Sequence, residues 1–313
     1  MIDIRNVSRR YGSTWALRNV NLQIEQNSVV GLLGQNGAGK TTLLNVITGF
    51  LAPSEGRILI DGSDILLNAE IAKSKIGYLP EVPPLYDEMT AAEYLRFVAQ
   101  LRGVRGKVSD HVNEILHLSG LWEMRNRLLG HLSKGYRQRA GLAGALCGDC
   151  EILVLDEPTS GLDPKQITET RQLIRLLAKN RIILFSSHML PEVEQLCDRV
   201  IILHEGTVRL DSPIDSLCTE SGIIRLKVTL GAPKDKALPV LQAMDGLRAV
   251  QELPAEAENA STFHMEFSET AQPEKQLFSL CCGHQLPILR LQRESNPLEQ
   301  VFLNVITGER SQI

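Results

Sequence analysis

Apolar and polar residues alternate over 2–8 (IDIRNVS) and 18–24 (RNVNLQI), the pattern of half-buried strands, with Tyr11-Gly12-Ser13 as a turn between them. Residues 29–33 (VVGLL) and 152–155 (ILVL) are short, wholly apolar runs of the kind buried on both faces of a parallel sheet. Further strands are predicted at 57–61, 76–79 and 182–185, with a strand pair at 199–210. Helical spacing marks 90–102 and 109–119, with Thr90 and Ser109 as N-caps, and also 136–147, 164–179 and 191–197. Strands alternating with helices predict an α/β domain over 1–215, and its helix-rich stretch at about 82–150 predicts an inserted helical subdomain. The pattern changes after that. Strand 223–230, helix 235–244, strands 248–253 and 261–267, helix 273–283 and strand 287–293 spell βαββαβ, and a helix follows at 297–306. This predicts a small C-terminal α+β domain of ferredoxin-like type over 220–313, with Pro254 to Asn259 turning between its middle strands.

Composition narrows the function classes. With 313 residues, 43% hydrophobic and 22% charged, the chain can build a sizeable core. A net charge of −4 and the lack of a basic block argue against nucleic acid as a partner. The N-terminus has no apolar signal region, and no apolar run approaches the ~18 residues of a membrane span. The expected place is therefore the cytosol, with any membrane role exercised through a partner. Six cysteines in so long a chain do not read as a disulfide framework. Cys147-Gly148-Asp149-Cys150 has C-x-x-C spacing, but no second pair completes a zinc site, so these read as structural thiols.

The first chemistry lies between strand 29–33 and an apolar-periodic stretch beginning at Thr42. Gly34-Gln35-Asn36-Gly37-Ala38-Gly39-Lys40-Thr41 fits G-x-x-x-x-G-K-[ST] in full, in the strand, loop, helix context the motif needs. The glycines let the backbone close around phosphate oxygens, and the unpaired N–H groups at the helix start point the same way. Lys40 supplies a point charge for the β- and γ-phosphates, and Thr41 a hydroxyl for Mg²⁺. Thr42 completes the phosphate-binding set. The second stretch is ILVL followed by Asp156-Glu157, two acids at the C-terminal edge of a parallel sheet, where ligands of such sheets bind. Asp156 suits Mg²⁺, and Glu157 suits the activation of an attacking water.

The third stretch, Leu132-Ser133-Lys134-Gly135-Tyr136-Arg137-Gln138-Arg139, resembles the LSGGQ signature of the ATP-binding-cassette (ABC) ATPases. Leu132, Ser133 and Gly135 match, whereas Lys134 and Tyr136 depart from the consensus. The resemblance covers about residues 1–215. It implies that Ser133 and Gly135 cap the γ-phosphate held by a second subunit, and that Tyr11 stacks on adenine. It also implies that Ser160 to Asp163 form a loop at the dimer interface, and that His188 contacts the γ-phosphate. One position departs further: Glu81 stands where the family has Gln near the metal. Two readings of Glu81 stay open, a metal-adjacent carboxylate and a solvated strand-end acid. IGYLPE, LSKGYRQR and PLEQVFLNVITG together look like ATPase subunits of bacterial drug-resistance and gliding-motility-associated exporters.

The resemblance thus implies a P-loop NTPase of ABC type and an ATPase that uses ATP and Mg²⁺. It would drive a separate membrane permease, with Leu85 and Tyr86 at the contact, through ATP-dependent closure of a dimer, more readily two copies than a mixed pair. Its expected place is the cytoplasmic face of the inner membrane, as a peripheral subunit of an exporter. A single-cassette ATPase with a scaffold role is the alternative. A GTP switch is disfavoured, because no N-K-x-D sequence is present. Neither the transported substrate nor its direction is written in these motifs.

Overall fold

The computed structural model describes residues 1–25, 28–148, 150–219, 223–254, 260–268, 272–294 and 298–307. These fall into two compact units, Met1–Ile214 and Asp215–Ile313.

The first unit opens with β1 (Ile2–Tyr11), β2 (Thr14–Ile24), β3 (Val29–Leu33), α1 (Lys40–Ile47), β4 (Glu55–Ile60), β5 (Ser63–Asp64), α2 (Ala69–Ser74) and β6 (Ile76–Leu79). Three helices follow, α3 (Ala91–Leu101), α4 (Val108–Leu118) and α5 (Lys134–Leu146), with short 3₁₀ turns at Trp122–Met124 and Leu129–His131. The unit then returns to alternation in β7 (Ile152–Asp156), α6 (Pro164–Ala178), β8 (Ile182–Ser186), α7 (Leu190–Leu196), β9 (Arg199–His204) and β10 (Thr207–Pro213). Two sheets result. A four-stranded sheet has the order β2-β1-β4-β5 and is antiparallel, and a six-stranded sheet has the order β10-β9-β3-β8-β7-β6. In the larger sheet only β10 runs antiparallel.

That parallel pairing positions the site. Leu32 on β3 is registered with Ser186 on β8, and Ser186 with Asp156 on β7. The ends of β3, β7 and β8 therefore deliver their following loops to one edge, as parallel strands do. The five residues of β3 are all buried, as are those of β7 and β8, which explains their unbroken apolar runs. A single core of Ile2, Ile4, Leu17, Val30, Leu32, Leu43, Ile47, Ile58, Val154 and Leu184 joins the two sheets and α1. Leu43, Leu44, Val46 and Ile47 bury fully along α1. Each contributes roughly 1.5–3 kcal/mol, which anchors the helix whose first residues carry the phosphate motif.

Helix starts follow local chemistry. Thr90 caps α3 in a complete capping box with Glu93. Ser109 does not cap α4: the helix begins at Val108, and Ser109 lies within its first turn. Ser133 accepts from Tyr136 N at the start of α5, and Asp163 accepts from Gln166 N at the start of α6, with Pro164 in the first turn. Helices α3, α4 and α5 pack on one another, and α5 also packs on β6. Cys147 and Cys150 are buried free thiols, held protonated as burial pushes Cys147 up to about 12 and raises Cys150; Asp149 between them lies outside the described residues.

Helix α8 (Ile214–Thr219) leads into the second unit, β11 (Ile223–Leu230), α9 (Lys234–Gln242), β12 (Leu247–Leu253), β13 (Ser261–Ser268), α10 (Pro273–Gly283), β14 (Ile288–Glu294) and α11 (Leu298–Thr307). Its sheet has the order β12-β13-β11-β14 and is antiparallel, the ferredoxin-like arrangement. Phe263, Met265, Phe267, Leu226 and Val228 form its core with Leu241 and Leu277 from the two helices. The turn expected at 254–259 falls mostly on 255–259, outside the described residues, as do Pro297 and Gly308 of the C-terminal phrase.

Candidate active site

A cleft of about 380 Å³ opens at the sheet edge where the loops after β3, β6, β7 and β8 meet. Gln35, Asn36, Gly37, Gly39, Lys40, Thr41, Thr42, Glu81, Glu157 and His188 line it, together with Ala16 and Ser160. Residues up to 172 positions apart in sequence thus share one space, and all but Ala16 are residues that the sequence motifs and the resemblance name.

The loop is a cradle by conformation. Gly37 and Gly39 have φ of 81° and 106°, in the left-handed region, and Gly39 serves as N-cap of α1. A Cβ at Gly39 would lie 2.5 Å from the Ala16 carbonyl oxygen, so the close approach also requires glycine. Gly34 and Ala38 sit behind this surface, where Gly34 O receives Lys40 Nζ and Ala38 O receives the Gly206 amide. Lys40 is buried, and its ammonium donates to Gly34 O at 2.7 Å and Gln35 O at 3.4 Å. It forms no ion pair within contact distance among the described residues. A buried ammonium held by two loop carbonyls at the start of α1 suits an anion.

The acids stand at the end of β7. Asp156 is buried, and its Oδ1 accepts the Ser186 hydroxyl at 2.6 Å. Its Oδ2 is buried without a protein partner, a costly state for a carboxylate oxygen unless a cation or water meets it. Thr41 offers a hydroxyl at the cleft surface. One carboxylate, one hydroxyl and the oxygens of a bound phosphate suit Mg²⁺, which prefers few protein ligands and keeps several waters. Glu81 shares the cleft and is exposed, yet Glu81, Asp156 and Glu157 do not converge as a cluster of three acids able to hold a metal.

Glu157 has φ 49°, a left-handed conformation that a non-glycine residue adopts at a cost of ~1–3 kcal/mol. Its amide donates to Ser186 Oγ at 2.9 Å, so one buried serine holds both acids. The Glu157 side chain is 13% exposed, and its Oε2 lies 2.7 Å from His188 Nδ1. Burial pushes the Glu157 carboxyl above its ordinary value, opposed by His188 and Lys40. The result is a carboxylate of raised basicity facing phosphate-binding groups.

Four sequence-predicted residues lie elsewhere on this unit. Tyr11, at the end of β1, is half exposed with the Arg9 guanidinium 4.9 Å from its ring, and does not line the cleft; Ala16 does. Ser133, Gly135 and Asp163 sit at helix starts away from the cleft lining. Ser186 was not singled out from the sequence. Its signal is a hydroxyl placed directly across the ladder from the first acid, which becomes visible once β7 and β8 are paired.

Residues 17–160 match the family described as ABC transporter. The chain is 40% identical to the bacitracin transport ATP-binding protein BcrA of Bacillus licheniformis, over 69% of this chain and 71% of that one. It is 33% identical to the uncharacterized ABC transporter ATP-binding protein YxlF of Bacillus subtilis, over 98% and 99%. Among solved structures, an ATP-binding cassette described as a dimer in a post-hydrolysis state bound to ADP and Pi superposes with a TM-score of 0.63 and 26% identity, over 68% of this chain and 99% of that one.

Proposed function

The chain belongs to the ABC transporter family as an ATP-binding and ATP-hydrolysing subunit, and from that premise we propose that it powers a separate integral membrane permease, in the direction of export, through ATP-dependent closure of a dimer. The observation that carries the chemistry is the cleft in which Lys40 and Thr41 face the Glu157–His188 pair. Lys40 leaves the loop carbonyls for the β- and γ-phosphates of ATP, while Gly37 and Gly39 expose amides to the same oxygens. Asp156 and Thr41 would hold Mg²⁺, which would neutralise charge on the phosphates. Glu157 orients and deprotonates the attacking water, and His188 holds that carboxylate in place and reaches toward the γ-phosphate. Glu81 shares the cleft, where it would add negative charge to the surroundings of the metal.

The signature residues Ser133 and Gly135 lie away from their own cleft, which suits action on the ATP of a second subunit, with Asp163 and its loop at the seam between copies. The relative known as a dimeric cassette supports this arrangement, and two copies are the simplest pair. Tyr11 would reach adenine beyond the rim of the phosphate cleft. No helix is long and apolar enough to cross a membrane among the described residues; in this reading the permease is a separate chain, and the subunit binds peripherally at the cytoplasmic face.

An apolar groove supports that docking. Phe50, Tyr78 and Leu101 line it, with Phe50 and Leu101 strongly exposed, and one turn earlier on α3 Phe97 packs edge-on against half-exposed Tyr86. Isolated exposed apolar residues are ordinary, but a grouped set around a groove marks an interaction surface. Detergent extraction of the native complex should recover a polytopic membrane protein with this chain. Recovery of the chain alone, as a stable dimer with full ATPase activity, would favour the scaffold alternative.

The second unit carries none of the nucleotide-binding residues and contains more acids than bases, which suits a regulatory or dimer-stabilising role and not nucleic-acid binding. Truncation after Ser216 should leave ATP affinity within about threefold of the full chain, since every residue assigned to the nucleotide lies in the first unit. Calorimetric titration checks this; loss of binding in a folded truncation would make the second unit part of the nucleotide site.

A further inference from the structure

Glu192 is a buried acid that the hydrolytic scheme does not use. It is 1% exposed, like Asp156, and lies on α7 four residues after His188. Its Oε2 accepts two hydroxyls, Thr159 Oγ1 at 2.7 Å and Ser187 Oγ at 3.1 Å. Thr159 is two residues beyond Glu157, and Ser187 immediately precedes His188. One carboxylate oxygen therefore ties the loop that carries Glu157 to the loop that carries His188. Ser187 Oγ also accepts the Met189 amide at 2.9 Å, so the chain is fixed on both sides of His188. The second oxygen, Oε1, has no hydrogen bond, and Arg171 Nη2 of α6 stands 3.9 Å away. Arg171 Nε is itself buried without a partner, while its Nη1 donates to Gln195 of α7.

Burying an acid in this way is unfavourable unless its bonds serve a purpose that an apolar residue cannot. Packing alone would be met by leucine at position 192, beside Val193 and Leu196. We propose that Glu192 is a positioning residue for ATP hydrolysis: through Ser187 and Thr159 it holds His188 against Glu157, and through Arg171 it ties that contact to helix α6 and the 160–163 loop that precedes it. It touches neither nucleotide nor water. The inference rests on the roles given above to Glu157 and His188.

The test compares Glu192→Ala, Glu192→Gln, Ser187→Ala, His188→Ala and the two double variants with His188→Ala, in the full-length chain. For each, kcat and KM for MgATP, trinitrophenyl-ATP affinity and Tm are measured. Glu192→Ala and Ser187→Ala should each lower kcat by ~10-fold or more, with KM and nucleotide affinity within about twofold, because the interaction matters in the transition state and not in binding. Glu192→Gln keeps one oxygen for both hydroxyls and should stay within about fivefold of the parent. In the His188→Ala background the second substitution should cost less than about twofold, since the group being positioned is gone. Equal costs in both backgrounds would mean a general structural role and overturn the proposal, as would parent-like kcat in Glu192→Ala. If Glu192→Ala does not fold, the Ser187→Ala cycle decides alone. Parent-like kcat in His188→Ala would instead remove the assigned role of His188, and this inference with it. A deficient His188→Ala beside an unaffected or additive Glu192→Ala and Ser187→Ala defeats this inference alone.

Discussion

Replacing Glu157 by Gln should cut ATP turnover by ~10²-fold or more while leaving nucleotide affinity nearly unchanged, because the amide keeps the shape and loses the base. The geometry makes the two effects separable. Phosphate binding rests on Lys40 and the loop amides, whereas Glu157 comes from the loop after β7 and has His188 at 2.7 Å. A variant that binds without hydrolysing should also accumulate as a closed, ATP-loaded dimer, visible by size-exclusion chromatography at millimolar ATP. Turnover within a few-fold of the parent would remove Glu157 from the chemistry.

The pH dependence has a defined sign. Burial raises the Glu157 pKa, against the lowering by His188 and Lys40, so the protonated, inactive form persists to higher pH than for an exposed glutamate. The acid limb of kcat should therefore lie above the ordinary carboxylate range and disappear in Glu157→Gln. Linkage runs the same way. A carboxyl whose folded pKa exceeds its unfolded value favours folding when protonated, and that advantage fades as pH rises from the unfolded pKa through the folded one. Glu157→Gln should thus be no less stable than the parent at neutral pH, with the difference shrinking in acid. A large loss of Tm at neutral pH would show that the carboxylate holds the fold together.

Much of this cleft was legible in the sequence because its parts are local. The phosphate loop, the acid pair and His188 each follow a short apolar strand, and parallel pairing of those strands brings their ends together without further information. The strands 76–79 and 223–230 and the helix 273–283 appear with the predicted bounds. Other features depend on tertiary detail. Strand β1 extends to Tyr11, beyond the alternating stretch, since register shifts after Ile4 and Val7 and a left-handed Asn6 break the period of two. Helix α2 has only six residues, too few to show a helical period, and the preceding Ile65-Leu66-Leu67 form a turn in which Asp64 accepts the amides of Leu66 and Leu67. Helix α4 starts at Val108 without a side-chain cap, so the serine cue at 109 misled by one turn position. Glu192 and Glu194 stand two apart in LPEVEQL, and nothing local distinguishes the buried acid from its neighbour; the distinction comes from Thr159 and Arg171 on other elements.

Lys40→Ala should weaken ATP binding by ~10–100-fold and abolish measurable turnover at physiological ATP, since hydrogen bonds to a charged group contribute ~1.5–3 kcal/mol and each 1.4 kcal/mol is tenfold. The resting geometry explains why the loss is so large. Lys40 is already desolvated, its ammonium held by the Gly34 and Gln35 carbonyls of the loop it serves. Binding ATP exchanges two neutral acceptors for phosphate oxygens bearing full charge, at no further cost in dehydrating the lysine. An exposed lysine would have to lose water and side-chain freedom at the same moment, which offsets much of the attraction. Helix α1 is anchored by Leu43, Leu44, Val46 and Ile47, none of which depends on the ammonium, so the variant should fold. Lys40→Met retains the apolar stem and removes only the charge, and should bind ATP as poorly as Lys40→Ala. Lys40→Arg keeps the charge but must fit a planar fork into a collar shaped for a compact ammonium, and should recover only part of the affinity. Titration of the four proteins with labelled ATP in the presence of Mg²⁺ reads the result directly. Parent-like affinity in Lys40→Met would show that the loop amides alone hold the phosphates and that the buried ammonium serves the loop's own conformation.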